Sequence, residues 1–233
     1  MSRAAVIVAA GRGERMGMPD KVLLPINGEP AIRFSLRAAD AAARIDQIVV
    51  VSGSHCREQI AGIVQGMGLR RPVIVVEGGA RRQDSVLNGV VAARSLGASC
   101  VAIHDGARPL VPAALFDATL DAAERQGAAI AAVPVVDTLK RVRERLVVET
   151  VPRDELWAAQ TPQAFMVDRL LDAFLEAKRR GLTVTDEAGL FEALGWPVAI
   201  VPGDPINLKL TYPGDLPLIE ALARSRTSTE SIA

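Results

Sequence analysis

Arg15 and Lys21 are two fixed positive charges placed on and just past a glycine-containing stretch, Ala9-Ala10-Gly11-Arg12-Gly13-Glu14-Arg15-Met16. Small residues and glycines let a backbone approach a ligand closely and aim N–H groups at anionic oxygens. With two cations added, the chemistry suggested is the holding of a polyphosphate. Two common phosphate loops are excluded by spacing. The dinucleotide fingerprint needs a glycine at position 16, where Met16 stands, and the P-loop needs Lys-Ser/Thr after Gly17, where Met18-Pro19 stand. A plain strand-to-helix turn with solvated charges accounts for the same residues.

Further polar clusters follow apolar runs. Glu77-Gly78-Gly79-Ala80-Arg81-Arg82-Gln83-Asp84-Ser85 offers another close-approach turn, with Ser85 as a donor to a ligand or simply a cap of its own loop. His104-Asp105-Gly106-Ala107-Arg108-Pro109 puts an acid where it meets a hydroxyl or a metal-nucleotide, or else pairs with Arg108 to fix the turn. His104 reads as a satisfied half-buried histidine, His55 as surface at a helix start, and His55 with Cys56 as an unconvincing metal site. Asp186-Glu187 reads first as helix capping. Lys209 in Asn207–Thr211, taken as a short strand, points into a site or into solvent.

The elements that must carry these clusters alternate. Strands are expected at Ala4–Ala9, Gln47–Val51, Val73–Val76, Cys100–His104, Ala129–Val133 and Val198–Val201. They are apolar throughout, as strands buried on both faces are. Helices are expected after Pro30 and Pro112. A third covers Val167–Arg180, with Asp168 in its first turn, Lys178, Arg179 and Arg180 in its last, and Gly181 beyond. This pattern predicts an α/β fold, mostly parallel central sheet flanked by helices, whose sites lie at the carboxyl ends of strands. The charged segment Asp137–Thr150 breaks the alternation, as a solvated hairpin or an arm. The 233 residues fit one domain, expected over 1–223 with the arm at about 137–155 and a frayed tail over 224–233.

Composition narrows the classes. Lys+Arg and Asp+Glu are both 27, so no basic excess marks a nucleic-acid binder. Two cysteines, without metal spacing, argue against a disulfide scaffold. No run approaches a membrane span, and no signal-peptide pattern is seen, so a cytoplasmic protein is expected.

Taken together, AAGRGERM, Lys21, GGARRQDSV, HDGARP, PVVDTLKR, VPRDELWAAQTPQAF, TDEA and NLKLT resemble, in that order, the 2-C-methyl-D-erythritol 4-phosphate cytidylyltransferases of the non-mevalonate isoprenoid pathway. The resemblance runs from Ala4 to about Leu216. It implies a Rossmann-like nucleotidyltransferase fold and a homodimer whose projecting arm reaches the partner's site. It also implies CTP and a polyol phosphate as substrates, with Mg²⁺ or another divalent cation. By position, Ala9, Ala10, Gly11, Gly13, Gly78, Gly79, Ala80 and Ser85 match the CTP cradle, and Arg15 and Lys21 the catalytic cations. Asp105, Thr185 and Lys209 match substrate-positioning residues, and Thr138 and Arg153 residues donated by the neighbouring subunit. Asp105 is the one residue considered for direct metal contact; Arg82 and Arg108 are read as structural. Two departures stand out: Asp20-Lys21-Val22 where members commonly show Pro-Lys-Gln, and Gly189 where they show serine. Rival readings are a ribitol 5-phosphate cytidylyltransferase, a sugar or molybdopterin nucleotidyltransferase, and a non-catalytic nucleotide-sensing subunit. Leu156-Trp157 favours the methylerythritol enzyme over the first, by resemblance.

Overall fold

A computed structural model describes residues 1–11 and 20–230. Gly13 and Arg15 therefore lie outside the described residues. In chain order the elements begin with β1 (Ser2–Ala9), β2 (Pro25–Ile26), β3 (Glu29–Pro30), α1 (Ala31–Ala41), β4 (Gln47–Ser52), α2 (Arg57–Gln65), β5 (Val73–Glu77) and α3 (Arg82–Ser95). They continue with β6 (Ala98–Asp105), α4 (Ala113–Gln126), β7 (Ala128–Pro134), β8 (Leu139–Arg143), β9 (Leu146–Val151) and β10 (Trp157–Met166). The last are α5 (Val167–Arg180), α6 (Ala188–Ala193), β11 (Ala199–Pro202) and α7 (Asp215–Glu230).

Seven strands form one sheet in the order β11-β7-β10-β6-β1-β4-β5. All pairs are parallel except the two made by β10, which runs antiparallel between β6 and β7. The expected strands are all present. β10 was not expected: its Ala- and Gln-rich sequence, with Pro162 inside, carries no β-branched run. It tolerates the proline because the ladder is interrupted between Ala159 and Gln163, so no N–H is needed there. Successive β1 residues alternate between two cores. Ala5, Ile7 and Ala9 join a cluster with Ile32, Leu36, Phe116 and Leu120, whereas Ala4 and Val6 join one with Val86, Val90, Leu170 and Phe174. Helices α1 and α4 thus cover one face, and α3 and α5 the other. Gly89 on α3 lies so close to the sheet that a Cβ there would stand 2.5 Å from Val6 Cγ1 and 2.7 Å from Val51 Cγ2.

Helix α5 has the expected bounds and ends on Gly181 at φ 65°, the left-handed cap that glycine adopts without steric cost. The charged segment folds as the β8–β9 hairpin, a two-stranded sheet of its own, turning through Glu144 and Arg145 at positive φ. Val142, Leu146, Val147 and Val148 on it are exposed. Of the tail expected over 224–233, residues 224–230 continue a helix, and residues 231–233 lie outside the described residues. Helix α7 runs to Glu230, Ala223 is buried, Arg224 donates to Asn27 at 2.6 Å, and Arg226 donates to the Leu110 carbonyl at 2.6 Å. The apolar pattern of α7 ends with Ile219 and Ala223 in the core and Leu222 packed against it, and beyond it Arg224 and Arg226 reach neighbouring loops, so no apolar spacing marks the continuation. Both cysteines are free and buried. No helix among the described residues is long and apolar enough to cross a membrane.

Candidate active site

The sheet places β4 and β6 on opposite sides of β1, so crossover connections diverge there and leave a crevice at the strand ends. A cleft of about 770 Å³ opens at that point. Its walls come from the β1 exit (Val8–Gly11), the Lys21 turn, the β4 exit (Gly53–His55), the β5–α3 turn (Glu77–Arg82) with Ser85, the β6 exit, and Lys209. The size suits a nucleotide-scale ligand.

The β5–α3 turn is shaped by what cannot be there. A Cβ on Gly78 would stand 2.6 Å from Ala10 Cβ and 2.8 Å from Ser85 Oγ, so only glycine lets the β1 exit and this turn meet. Ser85 is buried; its Oγ accepts from the Gly79 N–H at 3.0 Å and donates to the Arg81 carbonyl at 3.1 Å. It braces the turn from beneath while remaining on the cleft wall. Ala9, Ala10, Gly11, Gly78, Gly79, Ala80 and Ser85 all line this one cleft.

Asp105 ends β6 inside the cleft. Its Oδ2 lies 2.5 Å from Lys209 Nζ, and its Oδ1 lies 3.3 Å from Arg82 Nη2. Arg82 also donates from Nη1 to both Glu187 oxygens, at 2.8 and 3.1 Å. The result is a chain of alternating charge: Lys209, Asp105, Arg82, Glu187. Burial by itself would raise the Asp105 pKa, but the Arg82 guanidinium and Lys209 ammonium outweigh it and hold the carboxyl well below its usual range. Glu187 is 1% exposed, and burial pushes its pKa up to about 7 despite Arg82. Arg82 stays protonated: burial opposes its charge, and Glu187 and Asp105 more than compensate.

Three expectations are corrected here. The Asn207–Thr211 segment is not a strand but an irregular loop, pinned by Leu210 N–H to the Ala107 carbonyl and by Asn207 Nδ2 to the Thr161 carbonyl, both at 2.8 Å. Those anchors turn Lys209 toward Asp105. Glu187 makes no side-chain cap; it is the buried partner of Arg82, while Asp186 accepts the Gly189 N–H at 3.2 Å. The Asp105–Arg108 turn is closed by backbone rather than by a side-chain ion pair: the Arg108 N–H donates to the Asp105 carbonyl at 2.9 Å, while the guanidinium donates to the Asn207 carbonyl at 2.8 Å, holding the loop.

His104 is fully buried and neutral, its pKa lowered by burial to about 4. It lies between the Thr161 hydroxyl (3.0 Å from Nδ1) and the Arg108 carbonyl (3.1 Å from Nε2), the satisfied histidine the sequence suggests. His55 does sit before a helix, but it also lines the cleft and meets Asp20. That contact was missed because it joins residues 35 apart that no motif links.

Thr185, Thr138 and Arg153 are exposed and are not on this cleft's wall. Arg153 donates to the Val136 carbonyl at the base of the hairpin. Magnesium, which prefers oxygen cages, finds none among the described residues. Both Asp105 oxygens already face cations, and the Asp20–His55–Cys56 group, whose ligand atoms lie within 4.8 Å of one another, mixes oxygen, nitrogen and sulfur.

Comparison with known proteins gives a consistent picture. A family model described as 2-C-methyl-D-erythritol 4-phosphate cytidylyltransferase (IspD) matches residues 3–225. The curated protein of that name from Parasynechococcus marenigrum is 47% identical over 223 residues, covering 95% of this chain and 97% of its own. The one from Geobacillus thermodenitrificans is 43% identical over 228 residues, with coverages of 97% and 99%. Among solved structures, the Thermus thermophilus cytidylyltransferase superposes with a TM-score of 0.78 at 36% identity, covering 96% of this chain and all of that one. The Anaerococcus prevotii 4-diphosphocytidyl-2C-methyl-D-erythritol synthase gives 0.84 at 27% identity, covering 96% and 98%.

Proposed function

Since the chain belongs to the 2-C-methyl-D-erythritol 4-phosphate cytidylyltransferase family, and is a nucleotidyltransferase of isoprenoid biosynthesis, we propose that this cleft carries that family's reaction. A phosphate oxygen of 2-C-methyl-D-erythritol 4-phosphate attacks the α-phosphorus of CTP. The new P–O bond forms as the bond to the β-phosphate oxygen breaks, and pyrophosphate leaves with the electron pair. The products are 4-diphosphocytidyl-2-C-methyl-D-erythritol and pyrophosphate.

Two anions must be brought together, so repulsion is the obstacle, and positioning plus cationic charge is the remedy. The β1 exit, Ala9–Gly11 with Gly13, and the Gly78–Ala80 turn braced by Ser85 hold CTP. Lys21 and Arg15 neutralise the phosphates as they meet. The attacking phosphate is ionised near neutral pH, so no strong base is needed. Asp105 and Lys209 position the polyol phosphate, with Thr185 at the edge. Each retains capacity beyond their mutual bond, since a carboxylate oxygen has further lone pairs and an ammonium two further donors. A divalent cation would enter with CTP as part of the substrate and would add positive charge beside its phosphates. Thr138 and Arg153, flanking the exposed hairpin on either side, serve the partner's cleft in a cytoplasmic homodimer.

The observation that carries this reading is the convergence of the glycine turn, Lys21 and the Asp105–Lys209 pair on one cleft. Pyrophosphate release, measured with CTP and either methylerythritol 4-phosphate or ribitol 5-phosphate, tests it. Preference for ribitol 5-phosphate, or for GTP or UTP over CTP, refutes the assignment.

A further inference from the structure

The departure at Asp20 has a structural partner. After β4 the chain turns through Ser54–Cys56, and the His55 ring folds back over Gly53. A Cβ at Gly53 would stand 2.4 Å from His55 Cε1, 2.7 Å from Nδ1 and 3.4 Å from the Ala10 carbonyl oxygen. Glycine therefore admits the ring in this folded-back position. The folded-back ring presents Nε2 to Asp20 Oδ1 at 2.5 Å. Asp20 is left-handed, at φ 56° and ψ 56°, and opens the turn Lys21–Leu23; its carbonyl accepts the Leu23 N–H at 2.7 Å. Aspartate is among the few residues that adopt this conformation when the side chain finds a bond. Lys21, the next residue, lines the same cleft as His55.

We propose that His55 is a positioning residue: by holding Asp20 it fixes the turn that sets Lys21 against the phosphates. The inference rests on the proposed role of Lys21. The contact does not depend on the charge of the imidazole, because Nε2 carries a hydrogen in the cation and in the matching neutral tautomer. Cys56 takes no part: burial raises its pKa, and its thiol donates to the Gly53 carbonyl at 3.6 Å.

Steady-state kinetics and thermal melts test the proposal on the full chain. His55→Ala lowers kcat about tenfold, since sub-ångström to ångström misplacement of a catalytic group is costly. Its KM for CTP stays within about twofold and its melting temperature near wild type, because the contact is at the surface. His55→Gln, whose amide can replace the Nε2 donor, restores most of the rate. Added to Lys21→Ala, His55→Ala causes no further loss, because both act through one group. Cys56→Ser keeps wild-type turnover.

Wild-type kcat in His55→Ala beside a slow Lys21→Ala overturns the clamp alone. Multiplying losses in the double variant also overturn it. A Cys56→Ser defect equal to that of His55→Ala, with wild-type turnover that is lost on chelation and recovered with added Zn²⁺, shows a metal site instead. Wild-type turnover in Lys21→Ala overturns both this inference and the role assigned to Lys21.

Discussion

Replacing Glu187 by glutamine isolates the buried end of the alternating charge chain. Glutamine keeps the shape and can still accept from Arg82, but it never ionises. In the fold the carboxyl is raised from 4.5 to about 7, chiefly by burial. A raised acid binds its proton more tightly folded than unfolded. Its stabilising contribution is therefore complete below about pH 4.5 and is lost as pH rises to about 7. The shift corresponds to about 3 kcal/mol. For a chain of this size that is about 6–12 °C in melting temperature. His104 titrates with the opposite sign: burial lowers it from 6.5 to about 4, so it adds stability as pH rises across that window. Both proteins contain His104, so the difference between them removes its effect. Calorimetry of wild type and Glu187→Gln from pH 4.5 to 8 should show the variant gaining on wild type by that amount. A difference that stays constant with pH refutes the reasoning. It means that the ion pair with Arg82 keeps Glu187 charged throughout.

Other outcomes follow from the cleft and the hairpin. Lys21→Ala and Arg15→Ala should each lose about 10²–10³ in turnover with an unchanged melting temperature, as single electrostatic donors do; pyrophosphate-release kinetics with a parallel melt decide. Gly78→Ala should raise KM for CTP about tenfold or more, because its methyl would meet Ala10 Cβ at 2.6 Å and part the two turns of the proposed nucleotide cradle; an unchanged KM argues against that cradle. Val148→Asp, on the exposed hairpin, should shift sedimentation of the proposed homodimer toward monomer, by placing a charge on the apolar surface that the proposal assigns to the interface. A variant that sediments like wild type argues against the hairpin as an interface.

Much of this molecule is readable from its sequence, for identifiable reasons. Strands buried on both faces leave unbroken apolar runs, and α5 announces itself through Asp168, its terminal basic residues and Gly181. The polar clusters converge because parallel strands put all their carboxyl ends on one side. What escaped is non-local. β10 is built from alanine and glutamine and owes its place to neighbours on both sides. The loop carrying Lys209 owes its path to bonds with Ala107 and Thr161, about a hundred and about fifty residues away. Glu187 looks like an ordinary first-turn acid until Arg82, 105 positions earlier, is seen against it. Short-range pattern cannot encode such pairings.

Gly89 has a consequence reaching beyond its own surroundings. Helix α3 rests on β1 and β4 at the depth set by that bare backbone, and the same rigid rod carries Ser85 and Arg82 toward the cleft. At 1.5 Å per residue, Gly89 is about 10 Å along the axis from Arg82. Any side chain there would have to lift the rod from its bed, or tip it about that point. Ser85 would slide from beneath the glycine turn, and Arg82 would swing away from Asp105 and Glu187. A position with no atom in the cleft thus acts as the shim that sets its height, and damage there should be read out as lost catalysis before lost folding.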